Sequence, residues 1–387
     1  MPTQKIVYGG WYQRTTLHLT EVYGFLADGF SKLDLSKEKL IELRNNLNLE
    51  EVKREAGYLE FVKAKTKNGI EIRYYEDGLY ILEIESDDIK KAKSLLEDYF
   101  DNFFNPALNY IFSLGAPTPK VLANIKSVHP TAIGVKVEKL SDFEIDKKYG
   151  DIYSEVESSN IKVYKTTDYI FVVSTGSEDK IQNIIETQIF FREFKDQLEK
   201  YLNIHRNLWE EISDIKERKF IKGSDVEKLR GKLDQYQKTI NLIGVRINQM
   251  GSYVGIRETI SKDLKIEEYL TNLFQYKFES LTDTHSYIKE IWQMTKDYLT
   301  TAIDIIKEIE SKSVSNNILS LQIITSIGVV SGILGYLAAD SLPTVTSTGL
   351  VYLLILAIIV WPINFLVKFI YKRQKYKITF PETSKNI

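Results

Sequence analysis

The chain contains no cysteine, so disulfides, thiolate metal sites and cysteine nucleophiles are all excluded. Histidine is nearly as scarce. His18, His129, His205 and His285 are scattered without a second ligand at metal spacing, which leaves metal catalysis unsupported. No Walker-type phosphate loop is present either. Tyr8-Gly-Gly-Trp-Tyr12 lacks the required lysine and reads as a turn. Neither sign of charge prevails: 51 basic against 53 acidic residues leave a net charge of -2 and no basic field for a nucleic acid polymer. The first ten residues hold one lysine and no apolar core, so no cleavable signal peptide is expected. These absences point away from an enzyme. Proline is missing from all positions between Pro130 and Pro343, which removes the commonest helix breaker from the middle of the chain.

The distribution of apolar residues is uneven. Ile318 to Ala339 and Gly349 to Val367 are uncharged apolar runs of 22 and 19 residues, joined by Asp340 to Thr348. At about 1.5 Å per helical residue each reaches roughly the 30 Å of a bilayer core, so a transmembrane hairpin is expected. Lys368, Lys372, Arg373, Lys375 and Lys377 follow the second run, and Lys307 and Lys312 precede the first. The positive-inside rule then sets both termini in the cytoplasm of a multi-pass protein of the cell membrane, with lipid as a partner. The expected division is a cytoplasmic α/β domain over 1–178, a helical stalk over 179–317, a first span over 318–340 and an outer loop over 341–348. A second span over 349–371 and a basic tail over 372–387 complete it.

Within the first 178 residues, strands are expected at Thr16 to Val22, Tyr58 to Ala64, Ile70 to Tyr74, Leu79 to Ile84, Ala132 to Val137, Ile161 to Tyr164 and Ile170 to Val173. Ile70, Ile72 and Tyr74 alternate with Glu71 and Arg73, as in a half-buried strand. Helices are expected at Lys37 to Leu47 and Asp87 to Ser113. Gly69 to Asp88 lies on Asn160 to Asp179 without a gap, with four identities and six conservative matches. An internal duplication would give this, and so would the pattern shared by any two strand-turn-strand-helix units.

After Gly176 the strand signals stop. Ser224 and Glu227 form a capping box after Lys222-Gly223, marking a fresh helix start. Leu229, Leu233, Tyr236, Ile240, Ile243, Ile247, Met250 and Val254 make an unbroken heptad stripe, with Gly251 and Gly255 weakening its end. A second stripe runs through Ile288, Ile291, Thr295, Tyr298, Ala302, Ile305 and Ile309. The first suits a neighbouring helix of the same chain, the second a seam between copies in a homo-oligomer.

Asn317, Thr325, Gly328, Gly332, Gly335 and Ala339 share one helix face, with Ser331 beside them, a stripe suited to close helix approach or to a pore lining. Tyr336 and Asp340 would sit at an outer mouth, where a ring of carboxylates attracts cations. Asp87, Asp88, Glu178 and Asp179 are the acidic candidates for a divalent cation such as Mg²⁺, although helix-dipole interactions account for them without one.

An α/β domain, a long helix running into an apolar run, Ser315-Asn316-Asn317 before that run, and Gly335-Tyr336 followed by Leu342-Pro343 together resemble the CorA family of divalent-cation transporters and channels. The family's Gly-Met-Asn signature is absent, and Tyr336-Leu337-Ala338-Ala339-Asp340 stands in its place. The resemblance implies a homopentamer that transports Mg²⁺ or another metal ion through a pore lined by the first span and gated by the cytoplasmic domain. Divergent CorA-like proteins also include membrane effectors of prokaryotic antiviral defence, CRISPR-type systems among them, which respond to a nucleotide messenger. A membrane-tethered scaffold without a pore is the third expectation.

Overall fold

Short runs of β-branched and aromatic residues pair into a nine-stranded sheet in the order β2-β3-β4-β5-β1-β6-β9-β8-β7. The computed structural model describes residues 4–12, 18–115, 129–218, 220–337 and 373–377, together with isolated positions 347, 351, 358, 362, 365 and 369. The strands are β1 (Gln4–Trp11), β2 (Leu49–Glu55), β3 (Phe61–Thr66), β4 (Glu71–Tyr75), β5 (Leu79–Glu85), β6 (Thr131–Lys136), β7 (Ser154–Ser158), β8 (Ile161–Lys165) and β9 (Tyr169–Ser174). Pairing is antiparallel except between β6 and β9. The segments aligned above fall on two hairpins, β4–β5 and β8–β9, each followed by a helix.

Alternation along each strand sends two kinds of residue to two faces. One face carries Ile6, Ile72, Tyr74, Tyr80, Leu82, Ile133 and Phe171, and packs on α1 (Leu19–Asp28), α2 (Lys37–Asn46), α3 (Ile89–Tyr99) and α4 (Asn105–Gly115). Pro106 cannot donate to the preceding turn, and a π-helical turn, Phe100–Phe104, joins α3 to α4 there. That turn sets the rings of Phe100 and Phe104 5.3 and 5.5 Å from the ring of Tyr80. The other face carries Lys5, Val7, Arg73, Glu83 and Gly134, under α5 (Glu178–Lys216).

Beyond α5 come β10 (Phe220–Lys222), α6 (Gly223–Asp263), α7 (Glu267–Phe274), α8 (Phe278–Leu337) and β11 (Lys375–Lys377). The chain divides into two units, one made of Met1–Ile204 with Leu242–Ile291, the other of His205–Asn241 with Trp292–Ile387. In the second unit β10 pairs antiparallel with β11, so part of the basic tail is a strand. There Trp209 also stacks on Tyr298 at 4.5 Å, and His205 meets the hydroxyl of Thr295 at 2.7 Å.

Several expectations are corrected. Among the described residues no helix is long and apolar enough to cross a membrane. This contradicts the expected transmembrane architecture, and with it the membrane placement and the multi-pass topology with cytoplasmic termini. Within α8, Gln322, Thr325, Ser326 and Ser331, with Gly328 and Gly332, interrupt the described part of the first apolar run. Most of the second run and of the loop before it lies outside the described residues. Leu19 to Val22, expected in a strand, begin α1, and Tyr8 to Trp11, expected in a turn, belong to β1. The two heptad stripes differ in how far the chain itself covers them. Leu233, Ile243 and Met250 of the first are fully buried; of the second, Ile288, Thr295, Ala302 and Ile309 are buried while Ile291, Tyr298 and Ile305 are half-buried.

Candidate functional site

Two of the acidic candidates have structural roles. Asp88 is the N-cap of α3, its carboxylate accepting from the Lys91 backbone N–H at 3.1 Å. Glu178 opens α5 and pairs with Lys136 at 3.6 Å. Asp87 is exposed just before α3, and Asp179 lies beside a cleft described below. Among the described residues no three His, Asp or Glu side chains are placed to share a metal ion. Of the expected pore residues, Thr325, Gly328, Ser331 and Gly332 are exposed on α8. Asn317, Gly335 and Tyr336 also belong to that helix, their side chains outside the described set, as are Ala339 and Asp340 altogether.

The structure places its most developed site elsewhere, on the charged face of the sheet. Gly134 makes room for α5, because a Cβ there would stand 3.0 Å from Ile181 and 3.2 Å from Ile185. Beside this contact a cavity of about 450 Å³ opens. Its floor is Lys5 and Val7 of β1, Arg73 of β4, Glu83 and Glu85 of β5, and Gly134 and Lys136 of β6. Its wall is the first turns of α5, from Glu178 to Glu186. A second cleft shares Lys5, Arg73, Glu83, Gln182 and Glu186, and continues past Tyr58 toward Arg257 and Leu264 of the same unit.

Arg73 is the centre of the site. Its Nη1 donates to Glu83 Oε1 at 3.0 Å and its Nη2 to Glu83 Oε2 at 2.5 Å, while Nη2 also lies 3.1 Å from Glu186 Oε1. Glu186 further accepts from the Tyr75 hydroxyl at 2.7 Å and from Gln182 Nε2 at 3.1 Å. Arg73, Glu83 and Glu186 are 6%, 3% and 4% exposed, so the network is shielded from water, where charge-assisted hydrogen bonds are strongest. Burial by itself would weaken the guanidinium's hold on its proton. Glu186 and Glu83 outweigh that and raise it, keeping the group ionised. Burial, followed by the Glu186 charge, raises Tyr75 well above the usual phenol range. Lys5 approaches Glu83 at 3.4 Å from the side. One donor remains over: Arg73 Nε is buried with no hydrogen-bond partner among the described residues.

Both buried carboxylates are already held by Arg73, and among the described residues no histidine, serine or threonine lines the first cavity. The strand alternation from Ile70 to Tyr74 places Arg73 on the face opposite the core, which in sequence looks like a solvent face. The available signal was the pair of opposite charges on neighbouring strands of one hairpin. No family model matches the chain, and no curated protein matches it either.

Proposed function

We propose that the unit containing the nine-stranded sheet is a receptor for a small polar molecule, and that α5 carries the response. The observation behind this reading is the cavity of about 450 Å³ whose floor and wall are joined by a buried ion pair, Arg73 to Glu186. Ligand pockets commonly span roughly 300–1,000 Å³, and this one is lined mostly by charged and polar side chains beside an apolar strip of Val7, Ile181 and Ile185. A ligand that engages Gln182 or Lys5 competes with the hydrogen bonds of Glu186 and Glu83, and so acts on the link between the sheet and α5. A binding event is thereby converted into a change at a helix that continues to Lys216.

The test is a thermal-shift screen of small polar metabolites against the full chain and against Gln182→Trp, which fills the cavity. A ligand at a hundred times its Kd stabilises by about 2.7 kcal/mol. Stabilisation of the parent chain that disappears in Gln182→Trp is expected. No shift with any compound at millimolar concentration, or equal shifts in both proteins, would overturn the reading.

A second reading keeps the CorA resemblance, favoured by α8 being one helix of 60 residues. Under it, identical copies assemble around an axis and a divalent cation regulates the assembly. Native mass measured with and without Mg²⁺ tests it. A monomer in both conditions would remove it.

A further inference from the structure

We propose that the cavity on the charged face takes a small zwitterion, a free α-amino acid, with its carboxylate on Lys5 and Lys136 and its ammonium on Glu85 and Glu178. The inference rests on the receptor reading above and concerns only the chemistry of the ligand.

The charges of the cavity sort into two groups. Arg73, Glu83 and Glu186 satisfy one another deep in the floor, with Glu83 held at both oxygens. The ammonium of Lys5 is therefore a third, looser partner of Glu83 at 3.4 Å and keeps donors for a ligand. Lys136 is likewise loosely held, by Glu178 at 3.6 Å, with both side chains more than half exposed. Glu85 is exposed and stands opposite Lys5 in the β1–β5 register. The groups that face a ligand are thus two cations and two anions.

Such a set selects by charge as well as by contact. A phosphate-rich anion placed on the lysines meets Glu85 and Glu178, and a polyamine placed on the glutamates meets Lys5 and Lys136. A net-neutral molecule carrying both signs on adjacent carbons leaves no charge uncompensated. Register sets the two poles close together, because residues directly opposite on antiparallel strands have Cα atoms about 4.5–5.5 Å apart. Val7, Ile181 and Ile185 provide an apolar wall for a side chain.

Isothermal titration of the full chain with the common amino acids, and with their amides and N-acetyl derivatives, tests the assignment. One or more free amino acids are expected to bind, with losses of about tenfold or more when either charged end is capped, in line with hydrogen bonds to charged groups. Lys136→Gln alters an exposed position and is expected to weaken the free amino acid and its N-acetyl form but not its amide, and Glu85→Gln to weaken the free amino acid and its amide but not the N-acetyl form. Equal binding of capped and free forms would overturn the zwitterion and keep the receptor. A nucleotide that binds, and ceases to bind in Gln182→Trp, would do the same. Absence of binding by every compound, nucleotides included, would overturn both.

Discussion

Arg257 closes on Asp77 as a two-pronged pair inside the molecule, Nε to Oδ2 at 2.7 Å and Nη2 to Oδ1 at 3.0 Å. Asp77 sits in the turn between β4 and β5 and is 0% exposed; Arg257 comes from α6 and lies over the ring of Tyr75 at 5.0 Å. The pair pins to that helix the hairpin that carries Arg73 and Glu83. Removing one partner strands a buried charge, which typically costs about 3–5 kcal/mol. Asp77→Ala is expected to destabilise by that order in urea titration. Asp77→Ala combined with Arg257→Leu is expected to lose less than the two single changes added together, since no charge is then left unpaired.

The same turn contains a glycine that should tolerate nothing larger. Gly78 has φ +91, and a Cβ there would stand 1.9 Å from the backbone oxygen of Tyr12. Gly69 also has positive φ, at +83, but has open space around it. Gly69→Ala is therefore expected to cost about 1 kcal/mol for backbone strain alone. Gly78→Ala is expected to cost several times more, and equal losses for the two in denaturant titration would refute the steric argument.

Glycines in α6 give a contrast of a different kind. A Cβ at Gly251 would meet His285 at 2.9 Å, and His285 is itself fixed by Nε2 donating to the Ile247 carbonyl at 2.6 Å. Gly255 has nothing within 4 Å. Gly255→Ala is expected to stabilise the helix by about 0.8–1.0 kcal/mol, the propensity difference. Gly251→Ala is expected to destabilise, and Gly251→Ala with His285→Ala to destabilise less than His285→Ala alone. Calorimetric melting of the four proteins decides it.

Acid stability depends on His129. Burial first, then the charge of Arg192, draws its pKa down from 6.5 to about 4. As pH falls below 6.5 the unfolded chain takes up a proton that the folded chain refuses until about pH 4, so stability is lost across that window. At about 1.36 kcal/mol per pH unit the loss approaches roughly 3 kcal/mol. Glu193, 3.3 Å away, works in the opposite sense, because burial raises its pKa and the cost of ionising it is relieved as pH falls. Urea midpoints from pH 7 to pH 4 are expected to fall less for His129→Gln than for the parent chain, and to fall more for Glu193→Gln. Superimposable profiles would remove His129 from the account.

Much of the secondary structure was legible because period and propensity agreed. The alternation around Ile72, the apolar strands around Leu82 and Val172, and the heptad stripe of α6 all appear where the spacing put them. Edge strands β2 and β7 escaped, since the run from Leu49 to Glu55 and the run from Ser154 to Ser158 are mostly polar and owe their conformation to a neighbour. The candidate site escaped for a related reason. Arg73 and Glu83 look like solvent-facing residues until α5, more than ninety positions further on, returns to cover them. Apolar length alone misled at α8, whose described residues mix serine, threonine, glutamine and glycine into the run.

The central position of β1 has a consequence for how the protein is made. Its neighbours are β5 and β6, both later in the chain, so β1 cannot be seated until Glu85, and then Val135, have followed it. The wing β2–β3–β4–β5 is joined by short local turns and needs no such wait. Pulsed hydrogen exchange during refolding is expected to protect Val62 and Ile72 before Ile6; simultaneous protection would argue against this order. Until it is seated, β1 is an open edge on both sides, which gives a chaperone more to shield there than along the wing that closes locally.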